Sequence, residues 1–277
     1  MKPTWLIERG VFREHQADFK TEVERQGMVC AEVDYRPGKQ PPADIPGGPS
    51  LADDACVVLW GTLPLMQQIQ LRRAWVPGGW CHTENLECRA YYAYFGPYLL
   101  NSYYSILPGV EAIRLQEQLF AEFGPDDEVF VRPSRVHKIF TGKVVYKDDF
   151  RDAIAPSRYD PTTLIVISTP KEIGREWRLV IAKDEIVASS QYRDNGAVSI
   201  SRGCGDDVLH FVSDMLSHVR WRPDNVFMMD VCESEGKLYL LELNSFSCSG
   251  LYDCDPAAVI RAASAVAEEE WKTRHED

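Results

Sequence analysis

Residues 226–246 read Val226-Phe-Met-Met-Asp-Val-Cys-Glu-Ser-Glu-Gly-Lys-Leu-Tyr-Leu-Leu-Glu-Leu-Asn-Ser-Phe246. Two strand-forming apolar runs flank Gly236, and a chain folded there becomes an antiparallel hairpin. Gly236 lies midway between Asp230 and Glu242, so the fold sets these carboxylates across from each other on one face. Asn244, two residues beyond Glu242, shares that face, as do Met228 and Leu240. Met229, Val231, Tyr239, Leu241 and Leu243 point the other way, as core. Two carboxylates roughly 5 Å apart repel by about 3 kcal/mol at an effective dielectric near ~20. No cation is expected on that face to relieve them. A sequence otherwise consistent with a strand that carries this cost points to a site. A divalent cation reverses the sign of the interaction. Asp, Glu and an amide oxygen are hard ligands suited to Mg²⁺.

Upstream, the chain divides by the order of its elements. Thr4–Ile7, Met28–Val33 and the apolar run Ala55–Trp60 read as strands, and Arg13–Gln26 and Leu65–Trp75 as helices. Strand–helix alternation implies a small parallel sheet with helices on its faces. Residues 37–49 hold five Pro and three Gly, which makes them a loop. Pro77-Gly78-Gly79 reads as a break after the second helix. No glycine-rich phosphate fingerprint follows these strands, so a dinucleotide is not expected there.

From about residue 96 the strands come in hairpins. Val110–Phe123 reads as one helix. Val129–Arg132 precedes a hairpin of Lys138–Phe140 with Lys143–Tyr146 about Thr141-Gly142, and Thr163–Ile167 is a fully apolar strand. Trp177–Ile181 turns into Ile186–Ala188, and Asp207–His218 is helical. The last helix starts with Asp255 as N-cap and Pro256 in its first turn. The reading is an α/β N-terminal domain, residues 1–95, followed by an α+β domain, residues 96–277.

The 277 residues carry 30 Lys plus Arg against 42 Asp plus Glu, a net charge of −12. This balance excludes generic affinity for nucleic acid or anionic lipid. No apolar run reaches membrane-spanning length, and Glu8 interrupts the N-terminus before a signal-peptide core forms, so a cytoplasmic location is expected. None of the eight cysteines forms a C-x-x-C pair, and they read as reduced structural thiols. Cys81, His82 and Cys88 match no common zinc spacing. The tyrosine-rich stretch Tyr91–Tyr104 reads as exposed and as a hint of dimer contact.

Met229-Asp230-Val231 with Leu241-Glu242-Leu243-Asn244 resembles the metal-binding end of the ATP-grasp superfamily, which includes carboxylate–amine ligases. The resemblance extends over the whole second domain and favours a branch of small ligase-like members similar to enzymes that add amino acids to protein tails. It implies two antiparallel-sheet lobes, about 96–165 and 166–277, clamping ATP, with the α/β domain as the usual companion. It implies that Asp230, Glu242 and Asn244 hold one or two Mg²⁺ ions, for which Mn²⁺ can substitute. Arg132 and Lys138 resemble the first lobe's phosphate-binding cations, and Ser168-Thr169-Pro170 the linker that reads adenine. Arg178 resembles the arginine that faces the phosphates, so Arg178 and Lys138 are the candidate catalytic cations. Met228 and Leu240 would form the floor beneath the base. Two departures stand out: Arg132 occupies a position commonly lysine, and the glycine-rich lid is absent.

Gln191, Tyr192, Arg193, Arg202 and Tyr252 flank the metal strands and are the candidates to hold a small-molecule or peptide carboxylate and its amine partner. The implied reaction is ADP-forming C–N ligation through an acyl phosphate. The same groups would serve a kinase acting on a hydroxyl, and a non-catalytic nucleotide-binding protein is the third reading.

Overall fold

Trp5, Leu6 and Ile7 offer no polar face, and the strand they build is covered on both sides. The computed structural model describes residues 2–36, 51–135, 140–154 and 160–276. In it, β1 (Thr4–Glu8) lies between β2 (Val29–Val33) and β3 (Cys56–Trp60), all parallel, with Leu6 beside both Ala31 and Leu59. Helices α1 (Arg13–Arg25) and α2 (Leu63–Arg72) supply the crossovers. Continuous burial of β3 is what a parallel strand covered on both faces requires. The expected break at Pro77 is instead a short strand, β4 (Val76–Gly78), parallel to β3. It closes the order β2-β1-β3-β4. Edge position explains why a proline is tolerated there. At the start of α2 the Thr62 amide donates to Glu8 Oε2 at 2.6 Å. Gly61 lets that carboxylate approach, since a Cβ there would lie 2.8 Å from it. The expected loop 37–49 falls outside the described residues.

The chain partitions into two compact units. The first comprises Met1–His82, Arg175–Val231 and Glu242–Asp277, the second Thr83–Gly174 and Cys232–Leu241.

In the second unit, α3 (Cys88–Phe95) precedes β5 (Tyr104–Pro108). The expectation of an exposed tyrosine segment is corrected here. Tyr91 and Tyr92 are buried and meet edge to face, Tyr92 meets Tyr104 in the same way, and Tyr94 and Tyr103 are exposed. The single helix expected over 110–123 is two, α4 (Gly109–Arg114) and α5 (Gln116–Phe123), hinged at Leu115. β6 (Glu128–Pro133) and β7 (Lys143–Tyr146) precede the short α6 (Phe150–Ile154) and β8 (Leu164–Ser168). Their antiparallel sheet has the order β5-β8-β6-β7. β7 pairs with β6, with Val131 opposite Lys143, and the expected hairpin with 138–140 falls largely outside the described residues. Residues 136–139, Lys138 among them, lie outside the described residues. Phe120, Phe123, Phe150, Val131 and Ile165 fill this unit's core.

The remaining strands are β9 (Arg175–Ala182), β10 (Glu185–Asp194), β11 (Ala197–Arg202), β12 (Val226–Ser234) and β13 (Lys237–Ser245). They form one sheet in the order β11-β10-β9-β12-β13. Two-residue turns with positive φ, Asn195-Gly196 and Glu235-Gly236, join the outer pairs, as hairpin twist favours. Helix α7 (Asp206–His218) lies between β11 and β12, and α8 (Pro256–Glu276) ends the fold. Asp255 caps α8 as expected, accepting from the Ala257 amide at 3.1 Å.

In the first unit, residues of the parallel sheet, β9, β12 and α8 share one core, including Trp5, Trp60, Val180, Met228, Phe246 and Ile260. Phe246 meets Trp5 and Trp80 edge-on at 6.3 and 5.6 Å, and the buried Trp5 indole donates to Ser264 Oγ at 3.1 Å. Among the described residues, no helix is long and apolar enough to cross a membrane.

Removing this aromatic keystone should cost far more than removing a cap. Phe246→Ala is expected to lose about 3–5 kcal/mol of unfolding free energy, and Asp255→Ala about 1 kcal/mol. Urea unfolding measures both; equal losses would contradict the packing described.

Candidate functional site

β12 is buried along nearly its whole length, so the expected division into a core face and a site face does not hold: Met228, Met229 and Asp230 are each at most 1% exposed. A carboxylate in that position needs a partner. It has one, contrary to the expectation of no cation on that face. β9 runs beside β12 and contributes Arg178, whose Nε donates to Asp230 Oδ1 at 2.8 Å and whose Nη2 donates to Oδ2 at 2.7 Å. This two-bond fork is the geometry that gives arginine–carboxylate pairs their strength. The third nitrogen, Nη1, donates to the Gly250 carbonyl at 2.9 Å. Burial opposes the guanidinium's charge, and attraction and hydrogen bonding from Asp230 outweigh it, so its pKa is raised.

Asn244 joins the two acids. Its Nδ2 donates to Asp230 Oδ2 and to Glu242 Oε1, each at 3.0 Å. The three side chains therefore share one side of the hairpin. The two-residue turn by itself pairs Ser234 with Lys237, and an uninterrupted register would leave Asp230 and Asn244 on opposite faces. Their contact therefore requires one residue of slip between the strands. Along β13 the buried positions run Leu240, Leu243, Ser245, a break in alternation where such a slip belongs.

The far side of Arg178 is aromatic. Its guanidinium carbon lies 5.0 Å from the Tyr252 ring centroid, and Tyr252 stacks on Tyr192 at 4.7 Å and 8°. Tyr192 in turn donates its hydroxyl to Glu176 Oε2 at 2.7 Å. A β-bulge aims that tyrosine: β10 pairs Gln191 with Trp177 and Arg193 with Glu176, leaving Tyr192 as the extra residue. Burial raises the pKa of Glu176, with Asp230 and Glu242 adding to the rise and the Tyr192 hydrogen bond working against it. The Tyr192 hydroxyl is likewise pushed up, by burial first and then by Asp230 and Glu176. Glu176 was not among the expected site residues, although its i, i+2 spacing to Arg178 places both on one strand face.

The other expected residues are distributed as follows. Gln191 hydrogen-bonds Ser199 on β11, and Arg193 is exposed. Arg202 pairs with Asp253 at 3.0 Å, and with Tyr252 it borders a cavity of about 80 Å³ that also touches Asp18, Phe19 and Leu251. Met228 is fully buried in the aromatic core. In the second unit, Leu240 is fully buried, and its carbonyl accepts from the Leu100 amide. There Arg132 sits half-buried on β6 opposite Val166 of β8, and Thr169 and Pro170 follow β8 with partial exposure. Ser168 ends β8, and its Oγ is buried without a hydrogen-bond partner among the described residues. Such an orphan is normally met by water or a ligand.

The donor set fits a hard cation in kind. Asp230 Oδ2 and Glu242 Oε1 converge on one nitrogen, and Asn244 carries an amide oxygen as well as the amide donor. Among the described residues no group of three His, Cys, Asp or Glu side chains forms a metal cluster, the Cys81, His82, Cys88 set included. Two carboxylates and an amide leave coordination positions for phosphate and water, which is how Mg²⁺ usually binds.

The family model for the ATP-grasp domain, R2K clade family 2, matches residues 113–262, over half the chain. No curated protein matches in sequence. Several solved structures match in fold over nearly their full length. The RimK domain protein ATP-grasp from Sphaerobacter thermophilus has 15% identity and a TM-score of 0.58, covering 97% of this chain and 98% of its own. D-alanyl-alanine synthetase A from Vibrio cholerae has 12% identity and a TM-score of 0.64, covering 98% and 99%. The ATP-grasp ligase PsnB, complexed with minimal precursor, Mg and ADP, has 13% identity and a TM-score of 0.57, covering 95% and 97%.

The tyrosine–glutamate bond gives a pH prediction. Glu176 has a folded pKa above its ordinary 4.5. The folded state therefore keeps this proton where the unfolded chain loses it. That contribution to stability is full below pH 4.5 and is lost as pH rises through the folded value. Tyr192→Phe removes the donor that holds this value down, so the Glu176 carboxyl should titrate at higher pH than in the native protein, read by ¹³C NMR. A midpoint unchanged or lowered would contradict the assignment.

Proposed function

Because this chain belongs to family 2 of the R2K clade of ATP-grasp domains, we propose that it is an ATP-dependent, ADP-forming ligase that joins a carboxylate to an amine. The carrying observation is the convergence of Asp230 and Glu242 on the Asn244 amide beside the buried Arg178. In this reading Asp230, Glu242 and Asn244 hold Mg²⁺, one ion or two, with Mn²⁺ able to substitute. Bound there, the ion neutralises phosphate charge during transfer. The PsnB complex, which contains Mg and ADP, supports the choice of ion and nucleotide.

The protein's own groups do the positioning. Arg178 is held from one side by Asp230 and from the other by the Tyr252 ring, so its charge is fixed before substrate arrives and needs no reorganisation during reaction. Arg132 and Lys138 are the proposed cations of the first lobe, and the unpartnered Ser168 hydroxyl with Thr169 and Pro170 meets the nucleotide's base. Met228 and Leu240 are the proposed floor beneath the base. Tyr192, Tyr252, Gln191, Arg193 and Arg202 are the proposed surroundings of the acceptor, a small molecule or a peptide. The chain is proposed to act in the cytoplasm, with residues 1–95 as companion domain and 96–277 as the grasp domain.

The substrate carboxylate takes the γ-phosphoryl group, giving an acyl phosphate and ADP. The amine nitrogen then displaces phosphate and loses a proton as the amide forms. Catalysis rests on orientation and charge, with no covalent enzyme intermediate.

Incubation with ATP, Mg²⁺, candidate acids and hydroxylamine should yield ADP, phosphate and a hydroxamate. Glu242→Gln should lower that turnover by about 100-fold or more while circular dichroism stays native. Asp230→Asn should lower it as far and also lower the unfolding midpoint, because buried Arg178 loses its counter-ion. AMP with pyrophosphate as products, a phosphorylated alcohol, or full activity in both variants would refute the reading.

A further inference from the structure

Two thiols that the ligase reading does not use face each other in the first unit. Cys81 lies three residues past β4 and is 2% exposed, and Cys248, three residues past β13, is half-buried. The Cys248 thiol donates to the Cys81 sulfur at 3.6 Å, across 167 positions of sequence. Backbone and serine contacts fix this approach. Ser245 Oγ donates to the Trp80 carbonyl at 2.8 Å and accepts from the Cys248 amide at 3.1 Å, and the Trp80 amide donates to Ser247 Oγ at 3.0 Å. The two segments are thus stitched together on either side of the sulfurs. Both sulfurs also border one apolar cluster with Leu65, Met66 and Trp75, which limits their freedom to turn away.

We propose that Cys81 and Cys248 form a peroxide-sensitive dithiol site, with Cys81 as the attacking sulfur and Cys248 as the resolving one. The hydrogen bond from Cys248 lowers the Cys81 pKa against the opposing effect of burial, and the same contact raises that of Cys248. The geometry sets the order of events, because the Cys248 proton points at the Cys81 sulfur, and this asymmetry agrees with it. The Cys81 thiolate attacks one oxygen of hydrogen peroxide; an S–O bond forms, the O–O bond breaks, and hydroxide leaves to become water. The Cys248 sulfur then attacks the Cys81 sulfenic acid; the S–S bond forms, the S–O bond breaks, and a second water leaves with the Cys248 proton. Two thiols lose two electrons and peroxide is reduced to two waters. A water-sized oxidant suits the buried Cys81, which a bulky disulfide would reach poorly. The product would tie the segment after β4 to the turn four residues beyond Asn244.

The full-length reduced protein, freed of reductant and exposed to stoichiometric hydrogen peroxide, is digested without reduction and mapped by mass spectrometry. The expected product is a peptide pair joined through Cys81 and Cys248, short of two hydrogens and separated again by dithiothreitol. In Cys248→Ser, dimedone should label Cys81. Both thiols remaining free while other cysteines oxidise would overturn the proposal, as would Cys81 bridging a different cysteine or dimedone labelling elsewhere in the variant. Should that variant fail to fold, the map of the native chain decides alone.

Discussion

A carboxylate sealed into the middle of a sheet is the constraint around which the first unit is arranged. Asp230 is 1% exposed and occupies a strand whose neighbours are nearly all apolar. Stripped of its partner, such a buried charge costs about 3–5 kcal/mol. The Arg178 fork removes that cost, and its own desolvation is offset by the Gly250 carbonyl and the face of Tyr252. Tyr252 is steadied by Tyr192, and Tyr192 by Glu176. A hydrophobic pair of similar volume would fill the same space with less electrostatic risk. The ionic arrangement is therefore weak evidence for stability, and its distinct consequence is to hold Asp230 where the Asn244 amide meets it.

The charge balance of this cluster points the same way. Asp230 and Glu242 act on the Arg178 guanidinium and also on Glu176. Burial raises the pKa of Glu176, and its two acidic neighbours add to the rise. Asp230 and Glu242 both accept from the Asn244 amide, and Asp230 accepts the Arg178 fork as well. In the second unit, the buried Ser168 hydroxyl has no hydrogen-bond partner among the described residues.

Local patterns announced much of this. The unbroken apolar run of β3 predicted a covered parallel strand, Asp255-Pro256 predicted the start of α8, and Gly236 predicted the last hairpin, though its turn alone does not bring Asp230 and Asn244 to one side. The errors arose where partners distant in sequence decide the outcome. Pro77 signals a break, and only an available sheet edge beside β3 makes it a strand. Leu115 hinges two helices with neither glycine nor proline to mark it. Asn195-Gly196 is a strong hairpin signal, and β11 follows from it. The bulge that turns Tyr192 onto Glu176 has no sequence mark. The pairing of Arg178 with Asp230 depends on β9 lying beside β12, a fact of topology that spacing within one hairpin cannot carry.

The most direct test is a crystal structure of the full chain with Mg²⁺ and a non-hydrolysable ATP analogue. The account predicts an ion at about 2.0–2.1 Å from oxygens of Asp230, Glu242 and Asn244 and from the analogue's phosphates. A nucleotide bound elsewhere, or bound with its ion away from these three residues, would contradict it.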